Sequence, residues 1–190
     1  MLSTVILIVA AVPCLSLAAW FWTYRSIRKL EGRGNDVFRN LVESIAKEHL
    51  IIGHLTDSLP KDFEIQQQSR IKRKSQQANK ALQDLCEKSS DVELAAAFSS
   101  VHGELWITTE RLVKMITADQ RIAELATVKS CLEGLKEAQE RSYAAMQMYN
   151  HSAITMSAFG ELTIPSLVRK LVHHSPEQWP LIDWTPDITT

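Results

Sequence analysis

Six histidines are the first residues in this 190-residue chain whose type could do chemistry, since a neutral imidazole is both a base and a metal ligand. Their spacing argues against a metal. His49 and His54 stand five apart, whereas two ligands on one helix face need a separation of three or four. Neither belongs to a His-Glu-x-x-His pattern, and the adjacent His173 and His174 diverge on a helix. They read as surface or interhelix side chains. The cysteines Cys14, Cys86 and Cys131 are odd in number and far apart, which fits reduced packing thiols rather than a disulfide framework or a metal knuckle. Val12 and Pro13 precede Cys14, a poor match to an acylation site. A nucleophile beside a base, a Gly-rich phosphate loop and a carboxylate–histidine ligand cluster are all missing from the sequence pattern. The expectation is a non-enzyme with no catalytic, cofactor-binding or metal residues and no small-molecule substrate.

Two further features could bind rather than react. Arg70, Lys72, Arg73 and Lys74 form a basic cluster that can touch anionic lipid headgroups or a partner, or simply face solvent. Tyr149-Asn150 sits late in a long apolar pattern, where a buried Asn would fix helix register by demanding a partner. The net charge of −1 and the lack of interleaved aromatics argue against nucleic acid.

The elements that must position these residues are helices. Only 6 Gly and 6 Pro punctuate a chain rich in Ala, Leu, Glu, Lys and Gln. Residues 1–24 open with an uncharged apolar block, about 33 Å long as a helix, which suffices for a hydrocarbon core of about 30 Å. Trp20, Trp22 and Tyr24 close it as interface aromatics, followed by Arg25, Arg28, Lys29 and Arg33. A bulky aromatic end and no preceding basic residue favour an uncleaved anchor over a signal peptide. The basic flank places the N-terminus outside and the body in the cytoplasm. Residues 25–35 read as a basic juxtamembrane linker broken at Gly32 and Gly34, with Asn35 or Asp36 capping the next helix.

Residues 36–160 then read as a bundle of about four long helices. Apolar stripes run through Phe38, Leu41, Val42, Ile45, Ile52, Leu55 and Leu59, then through Ile71, Ala78, Leu82 and Leu85. The third runs from Leu94 and Phe98 to Leu112 and Ile116, behind a Ser90/Glu93 capping box. The fourth, near-heptad like a coiled coil, runs from Leu125 to Met156 after a Thr117/Gln120 cap. Short connections make the bundle antiparallel. Residues 161–190 read as a short helix with Leu167 and Leu171, then an irregular tail with Trp179 and Trp184. The fold class is all-α: an N-terminal transmembrane helix followed by an antiparallel helical bundle.

The chain resembles the LemA family of small membrane-anchored helical proteins. The run Asp36 to Ile45 is similar to that family's corresponding stretch, and Asn40-Leu41-Val42-Glu43 is identical to it. Tyr149-Asn150, Leu167, Leu171 and Pro176 with Trp179 match its C-terminal features. A second Tyr-Asn pair is Met156-Ser157 here, and the Pro before Asn-Leu-Val-Glu is Arg39. The resemblance implies a bacterial inner membrane and no established activity.

These readings converge on a single-pass, non-catalytic adaptor or scaffold that binds a protein partner or itself. Its surface would be polar helix faces or the tail around Trp184. The alternatives are a ligand-sensing bundle outside the membrane and a self-associating membrane-shaping protein.

Overall fold

A computed structural model describes residues 2–162, 165–166 and 179–184, with side chains from Leu17 onward. Cys14, Leu167, Leu171, His173, His174 and Pro176 lie outside those side chains. The described residues are all-helical: α1 Leu2–Ser58, α2 Ile65–Glu87, α3 Val92–Ala118, the single turn α4 Gln120–Ala123, and α5 Ala126–Glu161. The four long helices form an up-down-up-down bundle. Glu48 lies beside Ser142 while Phe38 lies beside Tyr149, so α1 and α5 run antiparallel. Asp57 meets Lys72 while His49 meets Asn79, so α1 and α2 do as well.

The core follows a strict alternation of three and four residues, the spacing that keeps one seam facing its partners. Along α1 and just past its end the seam runs through Leu41, Ile45, Glu48, Ile52, Leu55 and Leu59, with His49 and Thr56 buried beside it; on α3 it runs through Ala95, Phe98, His102, Leu105, Thr109, Leu112 and Ile116, with Thr108 beside it. α5 contributes Val128, Leu135, Ala138, Ser142, Ala145, Tyr149 and Met156. An apolar cluster around Leu41, Phe98 and Tyr149 fills one end, and another around Leu55, Leu112 and Leu135 fills the other. Polar side chains occupy the same seam between them.

Three local expectations are corrected. The break at Gly32 and Gly34 does not occur, and 25–35 is helix rather than linker, because α1 continues unbroken through both glycines. One interior Gly costs only about 1 kcal/mol, which seam packing outweighs. Gly34 also has a positive use: a Cβ there would fall 1.8 Å from the Trp179 ring. The cap of α3 is Asp91, not Ser90, its carboxylate accepting from the Glu93 and Leu94 N–H groups. Asp119 caps α4, and Leu125 starts α5 with no side-chain cap, so Thr117 and Gln120 do not initiate the last helix.

Among the described residues no helix is long and apolar enough to cross a membrane. Of the expected 1–24 anchor, the first sixteen side chains lie outside the described set.

Candidate functional site: a buried carboxyl–histidine chain beneath a C-terminal strap

Where the two apolar clusters meet, the seam positions of α1, α3 and α5 carry Glu48, His102 and Ser142, each 0–1% exposed. His49, 4% exposed, lies next to Glu48 and reaches toward α2. The hydrogen bonds fix the proton positions along this chain. His49 Nδ1 lies 2.6 Å from Asn79 Oδ1, and an amide oxygen only accepts, so Nδ1–H donates. A neutral His49 then accepts at Nε2 from His102 Nδ1–H, 3.0 Å away. His102 Nε2 is left as a bare lone pair, without a hydrogen-bond partner, 3.8 Å from Glu48 Oε2. The Ser142 hydroxyl donates to Glu48 Oε2 at 2.5 Å, and Glu48 Oε1 has no partner.

A lone pair facing a carboxylate is repulsive unless a proton lies between them. Burial supplies the preference. It pushes the Glu48 carboxyl up to about 7, against the opposing pull of the Ser142 hydrogen bond. Burial, reinforced by the neighbouring His49, pushes His102 down to about 3. His49 is lowered too, by burial, although its bond to Asn79 works the other way. Below about pH 7 the cluster therefore favours a proton on Glu48, beside neutral imidazoles. Its outer end, His49 and Asn79, opens on a shallow surface depression of about 380 Å³ with Gly53, His54 and Ser75 on its rim.

The segment 179–184 lies across the same bundle as a strap. Trp179 stacks on Tyr149 (centroids 5.9 Å, 19° between planes) and covers Gly34. Trp184, 5% exposed, meets His102 edge-on at 4.5 Å and Phe98 at 6.1 Å, and rests against Gly103. Between these rings Asn150 grips one residue's backbone twice: its amide donates to Ile182 O at 2.7 Å, and its Oδ1 accepts from Ile182 N–H at 3.0 Å. Ser99 Oγ accepts from the Asp183 N–H at 3.2 Å. Asn150 thus serves the strap, not helix register as its place in the sequence suggests.

Asn150→Ala leaves both Ile182 backbone groups unpaired. It should cost about 2 kcal/mol in chemical unfolding of the full chain, with the strap-contacting Trp fluorescence shifting to the red.

The other expected residues are dispersed. Trp20, Trp22, Arg25, Arg28, Lys29 and Arg33 are exposed on one side of α1 ahead of the bundle core, with Tyr24 half-buried and Thr23, Ile27 and Glu31 buried on the other. The Arg28 guanidinium lies over the Tyr24 ring, which stacks on Trp20. In the Asn40–Glu43 stretch only Leu41 is fully buried, in the core, Val42 is half-buried, and Asn40 and Glu43 face solvent. The basic cluster is partly neutralised: Lys72 pairs with Asp57 at 2.7 Å and Lys74 with Glu104, leaving Arg70 and Arg73 exposed. Trp184, expected as a contact surface, is instead buried in the core. The sequence reading missed Glu48, Asn79, Ser99, His102 and Ser142. For Glu48, His102 and Ser142 the available signal was a charged or polar residue falling where the three-four alternation requires a core position; exposed Asn79 and half-buried Ser99 carry no such signal.

Among the described residues no three His, Cys, Asp or Glu side chains are grouped to hold a metal ion. Comparisons with protein-family models, curated proteins and solved structures found no match to the chain.

Proposed function

We propose that the protein is a non-catalytic adaptor or scaffold, tethered to a membrane by the N-terminal end of α1 and holding its helical bundle in the cytoplasm. The observation that carries this reading is the continuity of α1. One helix of 57 residues, about 85 Å, leads from the uncharged N-terminal block directly into the bundle core. Leu17, Trp20, Phe21 and Trp22 are 66%, 36%, 59% and 69% exposed on this helix, ahead of the exposed basic residues. Exposed aromatics beside basic residues match a membrane interface. The resemblance to the LemA family supports the same reading and a bacterial inner membrane.

The continuity has a geometric consequence. Asp57, which pairs with Lys72, lies about 50 Å along the helix from Trp22. The basic cluster of α2 then sits far from the bilayer that holds α1, so exposed Arg70 and Arg73 are out of reach of that membrane's headgroups and open to solvent or a protein partner.

Alkaline carbonate extraction tests the tether. The full chain should stay in the membrane pellet, and Ile8→Arg with Leu15→Arg should release it to the supernatant. Release of the unsubstituted chain would remove the tether from the account.

A further inference from the structure

The strap contacts have the form of a peptide-recognition cleft already occupied. Asn150 reads a peptide backbone in both directions, as a neighbouring β-strand would, and Ser99 takes the next N–H. Two aromatic slots flank this grip. One lies over Gly34 against Tyr149; the other lies over Gly103 between Phe98 and His102. Pro180 and Ile182 are buried between them, while Leu181 and Asp183 point outward. The cleft therefore selects an extended Trp-Pro-x-Ile-x-Trp segment. A ligand of that chemistry is present on every copy of the chain.

We propose that the cleft is a docking site for the Trp179–Trp184 segment of a second copy, so that neighbouring chains are linked by strap exchange. The cleft contacts are identical whether the strap comes from the same chain or a neighbour, so exchange forfeits none of them. The sequence places residues 167–178 between Ser166 and Trp179, a contour length of at most about 45 Å, more than the width of a helical bundle. Confinement to one membrane raises the effective concentration of neighbouring straps. This names the partner in the scaffold reading and rests on that reading only for the confinement.

The experiment uses full-length chains with Cys14, Cys86 and Cys131 replaced by serine. One chain carries Ser99→Cys and the other Asp183→Cys; both are co-reconstituted in lipid vesicles and treated with a short bismaleimide. A chain bearing both substitutions, diluted to one per vesicle, gives the within-chain reference. Exchange predicts a crosslinked dimer between the two single variants, reduced about tenfold when Asn150→Ala is placed on the Ser99→Cys chain. A reference chain that crosslinks internally while the mixture yields no dimer would overturn exchange. Failure of the reference itself would remove the cleft, and so overturn the proposal. Neither result alters carbonate extraction, so the tether stands or falls separately.

Discussion

Trp184→Ala should lower the unfolding free energy of the full chain by about 4 kcal/mol, or about 10 °C in thermal midpoint for a chain of this size. The indole is 5% exposed, and its loss empties the slot between Phe98, His102 and Gly103. Three effects act together: lost apolar burial, an unfilled space, and water admitted to His102. The last has its own signature. His102 is held near 3 chiefly by burial, so opening the slot should bring it back toward its ordinary value near 6.5. Detergent-solubilised protein, unfolded thermally and by denaturant and followed by helical circular dichroism, gives the first number. Histidine proton titration by NMR gives the second. A Trp184→Ala chain as stable as the wild type would mean that the strap is not part of the core.

Glu48→Gln should gain about 3 kcal/mol of stability on the wild type between pH 4 and pH 8. Glu48 is raised from 4.5 to about 7 in the folded chain. Between those values the folded state therefore holds a proton that the unfolded state has released. The stability it contributes is complete below 4.5 and is lost as pH rises through 7. Glutamine has no proton to lose, and an amide oxygen in the place of Oε2 can still accept from Ser142. The histidines act in the opposite direction. His49 and His102 are lowered from 6.5, so their contribution is present above 6.5 and lost as pH falls below it. Wild-type stability should peak near pH 6.5, and the glutamine variant should show no alkaline decline through pH 7. Denaturant midpoints at pH 4, 6 and 8 decide it: parallel curves for the two chains would show that Glu48 is not the buried acid described here.

The helical bundle was legible in the sequence because its signal is local and repeated. Leu41, Ile45, Ile52 and Leu55 announce one face, and Pro60 ends it. What escaped lay where a residue's chemistry contradicts its position. Glu48 falls on the seam between Ile45 and Ile52, and His102 between Phe98 and Leu105. A hydrophobicity pattern skips both, although the spacing demands them; only the fold brings them together with Ser142, 94 residues beyond Glu48. Gly34 misled for a related reason. A glycine in isolation signals a break, but here the missing side chain makes room for Trp179, a contact across most of the chain. Tyr149-Asn150 was found as a pair, yet its partner is an irregular segment with no periodicity to reveal it.

The most direct test of the tethered-adaptor account is topology. A compartment-sensitive reporter fused after Thr190 should be active only in its cytoplasmic form, and protease should cut the bundle only after the cells are lysed. A reporter active outside, with the bundle cleaved in intact cells, would contradict the account and make a ligand-sensing role in the envelope the leading one.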